Sequence, residues 1–167
     1  MSNKDVNVNL NRADGPEDAV CQALLLDNQI CFPLYVCARE IVNAYTPYLS
    51  KIDLTYTQYV TMMVIWEEKT VVTRHLKERL FLDSGTLTPV LKKLEEKGLI
   101  IRQRSKEDAR DLVVTITEKG EALKWEATKV PEQLAGCLAG VEHAEDLKKL
   151  LDEMMLLFHE RRAEGSR

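Results

Sequence analysis

Between Thr73 and Thr117 the hydrophobic period changes once, at Gly98, and that change constrains the fold more than any other feature of the chain. Before it, TRHLKERL (73–80) and the run from Ser84 to Lys97 repeat apolar side chains at helical spacing, with Leu87, Val90, Leu91 and Leu94 facing inward. Only FLD separates the two runs. After Gly98, LIIRQR and LVVTIT read as two strands around the polar stretch SKEDARD, a hairpin with a charged tip. Glycine suits the helix end because it enters the left-handed region without a Cβ penalty. The fold class expected is mostly α with a small β-hairpin.

The flanks are helical. From about Asp27 to Leu49 the apolar positions are Cys31, Leu34, Tyr35, Ala38, Ile41, Val42, Tyr45, Tyr48 and Leu49, with Asp27 or Asn28 placed to cap the start. Proline is harmless in a first turn and disruptive further in. Pro33 therefore requires either a helix that begins around residues 29–32 or a bend there, and Pro47 should bend or end it. Thr55 to Trp66 forms a second helix, with Tyr59, Met62, Met63 and Trp66 on one face. Thr117 caps a helix from Glu118 to about Leu138, with a bend expected at Pro131. The last helix, about Val141 to Arg162, carries Leu147, Leu150, Leu151, Met154 and Phe158 on one face. Residues 1–20 are polar, without an apolar signal core, and read as a mobile tail before one domain over 21–167.

Net charge is −4, which by itself argues against a nucleic-acid partner, but its distribution does not. The balance is −5 over residues 1–68, +5 over 69–110 and −4 over 111–167. A basic centre between acidic ends suits a DNA-binding lobe on an acidic scaffold. No apolar run approaches the ~20 residues of a membrane helix. The four cysteines, Cys21, Cys31, Cys37 and Cys137, form no C-x-x-C pair, and no His/Cys cluster has zinc-ligand spacing. Free thiols in a reducing cytoplasm, no metal and no cofactor are expected.

Helix, short helix, tight turn, helix and hairpin is the winged helix-turn-helix order. In that arrangement the second helix of the pair enters the major groove and offers its N-terminal residues to base edges. Here those are Ser84, Gly85, Thr86 and Thr88, all small, with Lys92 and Lys93 a turn later. The hairpin supplies Arg102, Arg104, Lys106 and Arg110, and an arginine there can reach the adjacent minor groove. Asp108 either forms an exposed ion pair with Arg110 or holds it extended toward the groove.

DSGTLTPVLKKLEEKGLIIRQRSKEDARD resembles the recognition helix and wing of the MarR family, and Asp108 with Arg110 matches that family's D-x-R wing motif. LDNQICFPLY, AREIVNAYTPYL and LTYTQYVTMMVIWE resemble its organic-hydroperoxide-sensing branch. The resemblance covers about residues 24–138. It implies a homodimer built on helices at about 21–50 and 118–162, with winged lobes at about 54–117 gripping a pseudo-palindromic double-stranded operator. It also implies that Cys31 is the peroxide-sensing cysteine, that Tyr45 and Tyr56 hydrogen-bond its thiolate, and that Cys137 is a candidate resolving thiol. Pro33 departs from the family pattern. Cys31 and Tyr45 lie 14 residues apart, ~21 Å along one straight helix, so any such pair must form across a dimer. The reading is a transcriptional repressor, not an enzyme, bound to its operator when reduced and released when organic hydroperoxide oxidises Cys31. A repressor released by a small apolar or phenolic ligand, a thiol peroxidase and a protein-binding winged helix are the alternatives. Cys37 is expected to pack, and Cys21 has no assigned role.

Overall fold

The computed structural model describes residues 22–105, 111–134 and 141–165. Contacts divide the chain into two units, one ending at Asn43 and the other beginning at Ala44.

In the first unit a 3-10 turn at Leu26–Asn28 precedes helix α1, Cys31–Leu49, which runs on into the second unit. Asn28 does not cap α1. Its side-chain amide donates instead to the carbonyl of Gln22 at 2.9 Å. Pro33 is the third residue of α1, where its missing N–H removes no helical bond. That resolves the choice the sequence left open in favour of a helix that starts at Cys31. Leu24, Leu25, Ile30, Phe32 and Tyr35 are exposed on this unit. Cys37, expected to pack, is exposed as well.

The second unit carries the core. Beyond Pro47 and Leu49 the chain tightens into a 3-10 turn, Ser50–Ile52, and Asp53 closes it in the left-handed region at φ 51°. Helix α2, Tyr56–Glu68, starts on a capping box: Thr55 Oγ1 accepts from Gln58 N at 3.4 Å, and Gln58 Oε1 accepts from Thr55 N at 3.2 Å. Strand β1, Thr70–Val72, leads into α3, Thr73–Leu80. Phe81, at φ 54°, makes the tight turn, and α4, Ser84–Glu96, follows with Asp83 as its N-cap.

Strands β2, Ile100–Arg104, and β3, Leu112–Ile116, form the hairpin. β1 adds to it as a third antiparallel strand, with Val71 opposite Val114, giving the order β1-β3-β2. The sequence pattern predicts two strands only. Three residues are too few for an alternation to register, and their pairing is settled by a segment more than forty positions away.

Helix α5, Glu118–Ala127, is capped by Thr117, and α6 spans Lys129–Leu134. The break falls at Thr128, not at Pro131. A proline ring clashes with the carbonyl four residues earlier, here that of Ala127, so the interruption lies upstream of the residue that causes it. Helix α7, Ala144–Gly165, leaves Leu147, Leu150, Leu156 and Phe158 exposed. Leu49, Met62, Ile65, Leu76, Leu87, Leu91, Leu94, Ile100 and Val114 are the most deeply buried apolar side chains of the core cluster. Each contributes ~1.5–3 kcal/mol through burial. They come from α1, α2, α3, α4 and the sheet, so the helix pair and the wing share one core.

Candidate nucleic-acid interface and thiol site

The inward face of α4 is Leu87, Leu91 and Leu94, spaced to meet the core on one side. Ser84, Gly85, Thr86 and Thr88 consequently face solvent at its N-terminal end, and Lys92 and Lys93 are exposed a turn later. Asp83 Oδ1 accepts from Thr86 N at 2.7 Å, fixing where the helix begins. Lys92 makes an exposed pair with Glu96 at 3.8 Å, which contributes little. Lys77 of α3, which the sequence reading passed over, donates to Ser84 Oγ at 3.3 Å and joins the basic face.

The wing arginines divide. Arg104 is exposed. Arg102 is not presented at the hairpin tip: its Nε and Nη2 donate to Glu95 Oε2 at 3.0 and 2.6 Å, and its backbone N–H to Glu95 Oε1 at 3.0 Å. Its side chain is only 19% exposed. It therefore locks β2 to the last turn of α4, and Arg102 holds the Glu95 carboxyl below the usual carboxylate range. On the other limb, Arg74 pairs with Asp111 at 3.6 Å, and Thr73 Oγ1 accepts from Leu112 N at 3.4 Å. The wing is thus gripped by α4 on one side and by the start of α3 on the other. Lys106, Asp108 and Arg110 lie outside the described residues, as do Cys21 and Cys137.

Helix α3 is tied to the end of α2. Arg79 donates to Glu68 Oε1 at 2.8 Å and to Glu67 Oε2 at 3.0 Å, and His75 Nε2 lies 3.0 Å from Glu68 Oε1. Arg79, and His75 beside it, hold the Glu68 carboxyl below its usual range.

Cys31 is exposed at the first residue of α1. Tyr45 and Tyr56 belong to the second unit and touch there, edge to face, with ring centroids 5.1 Å apart. Tyr59, a core residue in the sequence reading, completes a cluster at 6.0 Å from Tyr45 and 6.3 Å from Trp66. Its three-residue spacing from Tyr56 on one helix face was the available signal. Burial, with the neighbouring Tyr45 adding to it, pushes the Tyr56 and Tyr59 phenols above their usual range, so both remain hydrogen-bond donors at neutral pH.

The family described as transcriptional regulator SarA/Rot matches residues 43–126. The organic hydroperoxide resistance transcriptional regulator of Bacillus subtilis (strain 168) is 42% identical over 132 residues, covering 79% of this chain and 88% of the relative. Reduced AbfR bound to DNA superposes with a TM-score of 0.67 at 31% identity, covering 83% of this chain and 94% of that one. A disulfide-formed structure of AbfR superposes at 0.57 and 32% identity, covering 83% and 98%. A mutant MarR from E. coli complexed with operator DNA superposes at 0.65 and 26% identity, covering 72% and 89%.

Proposed function

The chain belongs to the MarR family of winged helix-turn-helix regulators, and from that premise we propose a dimeric, redox-sensing transcriptional repressor that holds a pseudo-palindromic operator while Cys31 is reduced. The observation that carries the reading is the exposed thiol at the first residue of α1, in a chain 42% identical to an organic hydroperoxide resistance regulator. Oxidation proceeds by attack of the Cys31 thiolate on the terminal oxygen of an alkyl hydroperoxide. The O–O bond breaks, the thiolate becomes a sulfenic acid, and the alkoxide leaves and takes a proton as the alcohol. In the dimer, Tyr45 and Tyr56 of one protomer donate to the thiolate of the other, and the exposed apolar residues of α7 and of the first unit are covered by the second copy. Cys137 is the candidate thiol for a subsequent disulfide.

On the DNA, Ser84, Gly85, Thr86 and Thr88 approach base edges, while Lys92, Lys93, Arg104, Lys106 and Arg110 meet phosphates and the minor groove. Asp108 orients Arg110. The role of Arg102 is to hold the wing through Glu95. The protein acts in the cytoplasm, without a cofactor and without turnover of peroxide. A second reading, release by a small apolar or phenolic ligand, is favoured by a groove of about 580 Å³ lined by Leu80, Phe81, Met155, Phe158 and Arg161. The test uses a duplex enriched by the reduced protein from a random pool, followed by anisotropy. Organic hydroperoxide should release the parent, and Cys31→Ser should stay bound. Release of Cys31→Ser like the parent would leave the ligand reading standing in its place.

A further inference from the structure

Lys97 is the first residue beyond the recognition helix α4, and its ammonium is engaged by Gln58 of α2 and by Asp53 before it. It donates to Gln58 Oε1 at 3.2 Å, pairs with Asp53 Oδ1 at 3.1 Å and also reaches the backbone carbonyl of Asp53. Three donors thus meet three acceptors, two on Asp53 in the segment that joins α1 to α2 and one on Gln58 in the first turn of α2. Asp53 closes the 3-10 turn that ends α1. Gln58 is 3% exposed and is half of the capping box that sets the first turn of α2. The first residue of that turn is Tyr56, whose ring lies against Tyr45 of α1. A contiguous set of contacts therefore runs from the tyrosine pair, through the capping box, to the end of the helix that meets DNA.

We propose that Lys97, held by Gln58 and Asp53, is a positioning residue that transmits the state of the Tyr45–Tyr56 pair to α4. It sets how far oxidation lowers DNA affinity, not the affinity of the reduced protein. This rests on the redox-repressor reading above. The energetics suit a coupling role. Removing the ammonium leaves Gln58 Oε1 still bonded to Thr55 N, and Asp53, whose side chain is 86% exposed, is solvated. No buried group is orphaned, so Lys97→Met should fold. Contacts in sequence are not coupling until a perturbation at one end is felt at the other.

Two arms test it. In the first, affinity for the enriched duplex is measured for the parent and for Lys97→Met, reduced and after organic hydroperoxide. Reduced Lys97→Met should bind within about threefold of the parent, and oxidation should lower its affinity roughly tenfold less than it lowers the parent's. An equal oxidised-to-reduced ratio in both, or a reduced variant that no longer binds, would overturn the proposal. A parent that keeps its DNA on oxidation would instead defeat the redox reading. The second arm needs no peroxide. Tyr45→Ala should speed amide exchange at Gly98 and Leu99 about fivefold with Lys97 present, and not in the Lys97→Met background. Equal acceleration in both backgrounds would refute the link whatever the first arm gives.

Discussion

Gly120→Ala sets two opposed effects against each other, and the structure decides between them. Gly120 is the third residue of α5. On helix propensity alone, alanine is better by up to ~1 kcal/mol. A Cβ there, however, would lie 2.2 Å from the carbonyl oxygen of Leu99, 3.1 Å from its carbon and 2.9 Å from Ile116 Cγ1. The oxygen is backbone and cannot rotate away, and it accepts Thr117 N at 3.1 Å. Making room means separating the start of α5 from the start of the wing by about 1 Å, since a van der Waals contact needs ~3.5 Å. That movement also strains the bond from Trp66 Nε1 to the Gly120 carbonyl, 2.7 Å long and buried. Overpacking costs ~1–3 kcal/mol, and an indole N–H left without its acceptor costs ~1–3 kcal/mol more. Taking about 2 kcal/mol for each cost and ~1 kcal/mol for propensity, the net loss should be about 3 kcal/mol. At ~2–4 °C per kcal/mol for a chain of this size, the melting temperature should fall by ~6–12 °C. Urea unfolding measures the free-energy loss and a thermal melt the shift, both at fixed protomer concentration because dimer formation makes stability concentration-dependent. A variant as stable as the parent, or more so, would refute the packing argument and give the contest to propensity.

Gly98→Ala should cost ~1–2 kcal/mol in the urea assay, because Gly98 sits at φ 72° in the left-handed region, while an added Cβ would meet only the Lys119 side chain, 3.9 Å away. Glu95→Gln should free β2 from α4 and weaken operator binding more than it weakens folding, with partial recovery on reversing the pair as Glu95→Arg with Arg102→Glu. Acid should destabilise the fold through Glu68 and Glu95. Both carboxyls are held below the usual range in the folded state, so the folded protein binds their protons more weakly than the unfolded chain. Their contribution is complete above the unfolded value of ~4.3 and is lost as pH falls through the lower folded values. Urea midpoints taken from pH 6 downward should show that slope, and Arg102→Met should make it shallower.

Elements whose signal is local were legible in the sequence. TRHLKERL coincides with α3 because its amphipathic pattern lies within eight residues. The change of period at Gly98 coincides with a glycine at positive φ, because only glycine takes that conformation without strain. Signals that depend on a distant partner were not legible. β1 is defined by β3, and the partner that holds Arg102, Glu95, is on another element, so an arginine in a basic wing read as a DNA contact. In the sequence Lys97 reads as the end of a helix, and its bonds to Gln58 and Asp53 cross about forty residues. The expectation that Cys37 packs rests on helix spacing alone. That spacing cannot say whether anything lies opposite it, and the residue is exposed.

The central claim is that the chemical state of Cys31 governs hold on the operator. Its most direct test titrates the DNA-bound parent with organic hydroperoxide, following anisotropy and, in the same samples, the fraction of Cys31 captured as sulfenic acid or disulfide by mass spectrometry. Release and Cys31 oxidation should rise together, with Cys37 unmodified over that range. Release while Cys31 remains a thiol, or full oxidation of Cys31 with the operator still bound, would contradict it.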